Sequence, residues 1–142
     1  MIAMSPDVTE LERPLVVVIE DEDDLRELVI YNLRADGFHA LGAATAGEGL
    51  AICSMHCPSV VIIDRMLGDM DGIDICAHLR ADESLAGAAI LVLSARGSAR
   101  DKATGFAAGA DDYMVKPFAV EQLVERIRGL RSSRPSGSRF VR

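Results

Sequence analysis

Five short apolar runs, each followed by a segment with helical spacing, constrain the fold of this 142-residue chain more than any other feature. The first run, Leu15–Ile19, is apolar throughout and rich in β-branched residues, which is typical of a strand buried on both faces. Strands that alternate with helices form parallel sheets with helices on both faces, so the pattern predicts a doubly wound α/β domain. The remaining predicted strands are Phe38–Ala43, Val60–Ile63, Ala89–Leu93 and Tyr113–Val115.

Helical patterns fill the intervals between these runs. From Glu22 to Asp36, leucines and Val29 recur at helical spacing, acids crowd the first turn and Gly37 follows the last turn. Thr45 is the predicted N-cap of a second helix that ends near Met55. Further helices are predicted over residues 72–81, with Ile73, Ala77 and Arg80 on successive turns, over residues 98–108, and from Val120 to Leu130.

Length and composition predict one domain and limit its partners. Residues 1–13 are predicted to be a flexible leader, residues 14–131 the folded domain, and residues 132–142 a flexible basic tail or linker. The net charge of −7 argues against direct nucleic-acid binding by the folded domain. No apolar run approaches the roughly 20 residues of a membrane span, so we expect no membrane association. Three cysteines without an export signal indicate free thiols and a cytoplasmic location.

Polar residues follow four of the five predicted strands. Glu20 and Asp21 come after the first strand, Asp64 after the third, Ser94 after the fourth and Lys116 after the fifth. Ligands of open α/β sheets bind beyond the carboxyl ends of the strands, where these side chains should meet. Clustered carboxylates repel one another unless a hard cation such as Mg²⁺ joins them. With a hydroxyl and an ammonium group nearby, the set contains what is needed to move a phosphoryl group onto a carboxylate.

Each of these residues also has an ordinary structural explanation. Acids such as Glu20 and Asp21 often only interact with the dipole of the following helix, and Asp64 is a common residue in turns. Lys116 before a proline is commonly a solvated loop residue, and Ser94 by itself indicates little. The functional interpretation is favoured because all of them lie at strand ends and in a consistent order.

Four ordered motifs lie between about Leu15 and Leu130. They are an acidic pair in Val18–Glu22, an aspartate loop Ile62–Leu67 with Gly72, a hydroxyl motif Leu93–Arg96 and a lysine motif Gly109–Phe118. Together they resemble the motifs of response-regulator receiver domains, in which the aspartate loop is the phosphoacceptor loop. The lysine motif looks most like the OmpR/PhoB-type subgroup, whose full-length members carry a winged-helix DNA-binding domain.

The resemblance implies a flavodoxin-like (CheY-like) fold, with a five-stranded parallel sheet flanked by five helices. It also implies that Asp64 accepts a phosphoryl group from a histidine kinase or a phosphotransfer protein. The implied Mg²⁺ ligands are Asp21 and Asp64 directly, Glu20 through water and Met66 through its backbone carbonyl.

The remaining implied roles concern the phosphoryl group and the response to it. Ser94 and Lys116 bind the phosphoryl oxygens, and the small Ala95 leaves room for them. Tyr113 turns inward as Ser94 shifts, which changes the face formed by the fourth helix, fifth strand and fifth helix. The implied protein is a switch that assists its own phosphoryl transfer and slow dephosphorylation, rather than an enzyme.

Three positions depart from the family pattern. Gly68 stands where the family usually has proline, so we expect a more flexible phosphoacceptor loop. Ser94 replaces the commoner threonine but keeps the hydroxyl. Gln122 lies where an acid is expected opposite Lys102, which weakens a homodimer through the switched face by one ion pair. Other residues that fit the dimer pattern are Lys102, Asp111, Asp112 and Arg126.

The sequence fits three alternatives less well than the receiver interpretation: a phosphatase, a flavin-binding module and a zinc site. A phosphatase of the haloacid-dehalogenase type needs a second aspartate two residues after the nucleophile, where this chain has Met66. A flavin-binding module needs a Ser/Thr/Gly-rich loop after the first strand, which is missing. Zinc is disfavoured, because Cys53, His56 and Cys57 lack a fourth nearby ligand; Cys76 and His78 belong to another predicted helix. Whether the receiver stands alone or belongs to a transcription regulator stays open.

Overall fold

A computed structural model describes residues 13–133, and every predicted strand and helix is present within them. The strands are β1 (Leu15–Ile19), β2 (His39–Ala43), β3 (Val60–Asp64), β4 (Ala89–Ser94) and β5 (Asp112–Val115). The helices are α1 (Asp23–Ala35), α2 (Ala46–His56), α3 (Gly72–Ala81), α4 (Ala99–Ala108) and α5 (Val120–Ser133). The predicted leader, apart from Arg13, and the tail beyond Ser133 lie outside the described residues.

The sheet is parallel throughout, with strand order β2-β1-β3-β4-β5. β1 therefore has β2 on one side and β3 on the other. The connection from β1 to β2 and the connection from β3 to β4 run in opposite directions across the sheet. This is the topological switch point of a flavodoxin-like sheet, where a crevice opens beyond the strand ends. The predicted fold class is confirmed.

Two apolar layers cover the sheet, as alternating side chains of buried strands require. On one face, Val17 and Ile63 pack with apolar residues of α2 and α3, together with Tyr113 of β5. On the other face, Val18 and Ile62 pack with residues of α1 and α5. Tyr113 therefore lies on the same face of the sheet as α4, and on the opposite face from α1 and α5.

Helix starts follow the capping residues in the sequence. The Thr45 hydroxyl accepts a hydrogen bond from Glu48 N at 3.1 Å, so the predicted N-cap of α2 is confirmed. Ser98 and Asp101 form a reciprocal capping box at the start of α4. Such caps satisfy backbone N–H groups that have no partner within the helix.

The buried stripe of α3 includes the first residue of the helix. Ile73, Ala77 and Arg80 lie on successive turns, as predicted, and the buried residues are Ile75, Cys76 and Leu79, beside Gly72. The position of the stripe is set at the first residue, since a Cβ on Gly72 would approach Arg65 Cα to 2.7 Å. This close approach turns Gly72 inward, and the residues three, four and seven positions later share its face.

Candidate functional site

Three carboxylates meet at the switch point between β1 and β3. Glu20, Asp21 and Asp64 each offer an oxygen, and these oxygens lie within 4.8 Å of one another. Glu20 and Asp64 are buried, whereas Asp21 is exposed at the rim. All-oxygen donors that combine buried and solvent-facing carboxylates suit Mg²⁺, which usually retains several water ligands.

Lys116 reaches this cluster from the end of β5. Its Nζ lies 3.0 Å from Glu20 Oε1 and 3.4 Å from Asp64 Oδ2. The Lys116 backbone N–H donates to Ser94 O at 2.8 Å, which holds the residue beside the end of β4. The following peptide bond, Lys116–Pro117, is cis. The predicted meeting of Glu20, Asp21, Asp64 and Lys116 is thus found in the structure.

Burial dominates the protonation of Glu20. It raises the pKa of Glu20 to about 7, against the opposing effect of the hydrogen bond from Lys116. Burial also lowers the pKa of Lys116, but its hydrogen bond to Glu20 and the charge of Asp64 outweigh burial and leave that pKa raised. The single ammonium group therefore does not compensate the crowded carboxylates fully, and a divalent cation fits the remaining negative charge.

The Asp64 carboxylate is oriented by its own loop. Its Oδ1 accepts a hydrogen bond from Met66 N at 3.0 Å, while Oδ2 faces Lys116. Met66 also forms an isolated antiparallel bridge with Asp71, which caps α3 through Ile73 N at 2.9 Å. The loop between β3 and α3 is folded back on itself at this point.

A second contact ties this loop to α2. The Asp69 carboxylate accepts hydrogen bonds from Ala46 N at 2.9 Å and Gly47 N at 3.1 Å, which lowers its pKa. An anion at a helix N-terminus is favoured by the helix dipole. Gly68 has open space around its Cα and no positive φ. The flexibility expected from Gly68 stays a prediction. It concerns a loop whose backbone is hydrogen-bonded at Met66 before the glycine and whose Asp69 side chain is hydrogen-bonded after it.

Ser94 and Tyr113 are linked through the backbone of one residue. The fully buried Ser94 accepts a hydrogen bond on Oγ from Arg96 N at 3.0 Å. Tyr113 donates its hydroxyl proton to Arg96 O at 2.8 Å. The tyrosine ring already lies inward, against Gly105 of α4, where a Cβ would come within 2.8 Å of the ring. Ser94 Oγ is still bonded to Arg96 N, so the inward position of Tyr113 that the resemblance associates with a shift of Ser94 does not require that shift.

Sequence reasoning missed three contributors to this region. The Arg96 backbone connects the two predicted switch residues, Asp69 anchors the loop, and the buried side chain of Arg65 contacts Tyr113. Asp69 binds the first turn of α2, which lies more than 20 residues before it in the sequence, so no local sequence pattern reveals the contact. A signal existed for Arg65, because an arginine directly after a buried strand residue must find acidic or carbonyl partners.

The cysteine and histidine candidates do not gather. In the part of the chain that the structure describes, the metal-compatible group is Glu20, Asp21 and Asp64. Cys53 and Cys76 are buried core residues, and burial raises the pKa of the Cys53 thiol to about 12. Both thiols are therefore held in the protonated form, which is a poor metal ligand.

Comparisons with known proteins fit this geometry. The family model described as response regulator receiver domain matches residues 16–128. The chain belongs to the response-regulator receiver family. Receiver structures also share the fold: that of a putative response regulator from Chloroflexus aurantiacus has a TM-score of 0.79 and 31% identity, covering 84% of this chain and 98% of the other.

Curated relatives are regulators of transcription. The DNA-binding dual master transcriptional regulator RpaA of Synechocystis is 38% identical over 82% of this receiver chain and 48% of its own length. The phosphate regulon transcriptional regulatory protein PhoB of Rhizobium meliloti is 37% identical over 86% and 54%, respectively. PhoB is one of the two regulators after which the subgroup predicted from the lysine motif is named. The chain spans about half the length of these relatives.

Within residues 13–133, no helix is both long enough and apolar enough to cross a membrane.

Proposed function

We propose that Asp64 accepts a phosphoryl group from a histidine kinase or a phosphotransfer protein, with Mg²⁺ as cofactor. The observation that carries this proposal is the cluster at the β1–β3 switch point. There, the oxygens of Glu20, Asp21 and Asp64 lie within 4.8 Å and Lys116 Nζ is 3.4 Å from Asp64 Oδ2. Two buried carboxylates placed close together repel each other and are unfavourable for folding, so their presence here supports a functional explanation.

In the proposed transfer, Asp64 Oδ2 forms the new bond to phosphorus, and the bond from phosphorus to the donor histidine nitrogen breaks. Oδ1 is already engaged by Met66 N, which fixes the plane of the carboxylate. Lys116 pairs with the phosphoryl oxygens as its contact with Glu20 weakens, and Ser94 donates its hydroxyl proton to them. These groups position and stabilise, which is the main requirement of phosphoryl transfer.

Mg²⁺ would be held by Asp21 and Asp64 directly, by Glu20 through water and by the Met66 carbonyl. When bound, it offsets the charge that develops on the phosphoryl oxygens. The protein acts as a switch that assists its own phosphoryl transfer and slow dephosphorylation, so a turnover site for an external substrate is not required.

The proposed response runs from Ser94 to Tyr113. When Ser94 Oγ turns to the phosphoryl group, its bond from Arg96 N, now 3.0 Å, is broken. Arg96 O accepts from Tyr113, so a shift of this backbone changes the support of the tyrosine beneath α4. The face formed by α4, β5 and α5 would then carry the signal, as a local event biasing a two-state element.

We also propose the setting of this switch. RpaA is DNA-binding and PhoB is a transcriptional regulator, so we infer that this receiver controls transcription in the cytoplasm, through a DNA-binding partner domain. The domain itself would make no direct contact with nucleic acid or a membrane. Phosphorylation would promote a homodimer through the α4-β5-α5 face.

The test is phosphorylation with acetyl phosphate and Mg²⁺, followed by intact mass. We expect one acid-stable, base-labile phosphoryl adduct that requires Mg²⁺ and is lost in Asp64→Ala. Asp74→Ala, which removes an exposed acid of α3, serves as the matched control and should be phosphorylated normally. An adduct that persists in Asp64→Ala would overturn the proposal.

A further inference from the structure

Arg65, the residue directly after Asp64, is buried in a way that arginine rarely is. Its exposed fraction is 7%, and it lies at the end of a strand whose residues Val60–Asp64 are all buried. Arginine is almost never fully buried unless it is paired, because removing the charge from water is costly. The contacts of Arg65 therefore require an explanation beyond packing.

The backbone of Arg65 is fixed on both sides. Its N–H donates to Leu93 O at 2.8 Å, and its carbonyl accepts from Gly72 N at 2.9 Å. The Gly72 contact is so close that a Cβ there would lie 2.7 Å from Arg65 Cα. The side chain consequently starts from a rigid point between β4 and α3, next to the proposed phosphoacceptor.

From this point the guanidinium group extends to β5 and α4. Nη1 donates to Tyr113 Oη at 3.4 Å and to Asp101 O at 3.3 Å. Tyr113 in turn donates to Arg96 O at 2.8 Å. The result is a directed chain of hydrogen bonds in which Arg65 fixes the hydroxyl rotor of Tyr113, with its proton toward Arg96.

The charge of Arg65 is only partly compensated. Asp71 Oδ1 lies 3.7 Å from Nε, and Asp101 Oδ1 lies 3.9 Å from Nη1. These distances exceed hydrogen-bond length, and the buried Nε has no hydrogen-bond partner among residues 13–133. A buried ion pair with such loose geometry contributes little net stability, since desolvation offsets the attraction. Stability alone does not account for this arginine, whereas its contacts with Tyr113 and the first turn of α4 do.

We propose that Arg65 is a positioning residue, which holds the Tyr113 side chain inward beneath α4 and links that position to the backbone of Asp64. The proposal rests on the proposed function of Asp64 and Tyr113, and it assigns a role to a residue that neither transfer nor metal binding uses. Removing the guanidinium should shift Tyr113 toward an outward, solvent-exposed position, even though the fold remains intact.

The two tyrosines of the chain make this measurable by fluorine NMR with 3-fluorotyrosine in the full chain. Tyr31 is 71% exposed and provides an internal reference, whereas Tyr113 is 5% exposed. Tyr31→Phe assigns the two signals. Broadening of each signal by a soluble nitroxide reports its solvent exposure, with and without beryllofluoride and Mg²⁺.

The variant is Arg65→Met, which keeps an unbranched side chain as far as the position of Nε and removes the charge and the donors. We expect the inward-to-outward ratio of Tyr113 to fall about fivefold, the factor that one net hydrogen bond is worth. Tyr31 should not change. Arg100→Met is the matched control, because it removes an exposed arginine of α4 whose side chain takes no part in this chain of hydrogen bonds, and Tyr113 should stay protected in it.

Arg65→Lys covers the case in which the methionine variant does not fold. Its ammonium group retains the charge but ends one atom short of Nη1, the nitrogen that donates to both Tyr113 Oη and Asp101 O, so a smaller shift in the same direction is expected. Equal protection of Tyr113 in the wild type and in the folded variants would overturn the proposal and leave Arg65 a purely structural residue.

Amide NMR spectra recorded with and without beryllofluoride separate this proposal from the proposed function. If beryllofluoride leaves the amide signals of Met66 and Lys116 unchanged in the wild type, the phosphoacceptor function fails. The exposure of Tyr113 without beryllofluoride still decides whether Arg65 positions the tyrosine.

Discussion

At the scale of single residues, the site is a balance between burial and charge. Glu20 is 1% exposed and depends on Lys116, whose ammonium group also faces Asp64. One cation thus serves two carboxylates, and the pKa of Glu20 is raised chiefly by burial, with a smaller contribution from Asp64. The repulsion between the carboxylates favours cation binding, because a metal ion offsets the negative charge that one ammonium group does not compensate.

The pKa of Glu20 predicts how Mg²⁺ affinity depends on pH. Because this pKa is raised to about 7, Glu20 holds a proton below that pH and is a carboxylate above it. Protons therefore compete with Mg²⁺, and the affinity should increase as the pH rises through about 7, by up to about tenfold per unit on the acidic side.

Titrations of amide chemical shifts with Mg²⁺ at about pH 6 and about pH 8 measure this effect, on either side of the raised pKa. Glu20→Gln cannot titrate and should bind Mg²⁺ more weakly, with little difference between the two conditions. Equal affinities at both pH values in the wild type would contradict the assignment of this pKa to the metal site.

At the scale of elements, one glycine in the loop between β3 and α3 and another at the first residue of α3 have opposite steric surroundings. Gly68 faces open space, while a Cβ on Gly72 would meet Arg65 Cα at 2.7 Å and Asp64 O at 2.8 Å. Neither glycine has a positive φ, so steric space rather than backbone conformation distinguishes them.

These surroundings predict opposite effects of alanine on stability. Gly68→Ala should raise the free energy of unfolding by about 0.4–1 kcal/mol, because it restricts the unfolded chain without strain. Gly72→Ala should lower it by about 1–3 kcal/mol, because backbone atoms must move to admit the methyl group. Urea denaturation of both variants measures the difference, and a stabilised Gly72→Ala would show that the close approach is misplaced.

The elements were predictable because each has a local signal. The strands are continuous apolar runs, and Thr45 and Ser98 mark helix starts through side-chain oxygens. The site followed from the strand order, since parallel strands bring their carboxyl ends to one edge. Sequence alone did not reveal the surroundings of Arg65, whose contacts with Asp101 and Tyr113 span 36 and 48 residues.

At the scale of the whole molecule, the α4-β5-α5 face is already crossed by contacts within the chain. Arg126 pairs with Asp112 at 2.9 Å, and Arg80 pairs with Asp111 at 2.8 Å. Lys102 on α4 is exposed, as is Gln122 on α5. Two acids expected at a dimer interface are therefore partly engaged, and Gln122 supplies no charge to Lys102 of a second copy.

Gln122→Glu should restore the missing intersubunit ion pair and strengthen the homodimer formed with beryllofluoride. An exposed pair is worth about 0–1 kcal/mol, and two-fold symmetry makes it twice, so the dissociation constant should fall by up to about thirtyfold. Sedimentation equilibrium measures the dissociation constant, and Ser54→Glu, at an exposed position of α2, is the control for the added charge. Unchanged or weaker association of Gln122→Glu would argue against a dimer through this face.

The most direct test of the central claim is an amide NMR comparison of the full chain with and without beryllofluoride, in the presence of Mg²⁺. The account predicts shifts at Met66, Ser94 and Lys116 that continue through Arg96 to Tyr113, all of which vanish without Mg²⁺ or in Asp64→Asn. A folded wild-type protein whose spectrum does not respond to beryllofluoride would contradict it, and Asp64 would not be a phosphoacceptor.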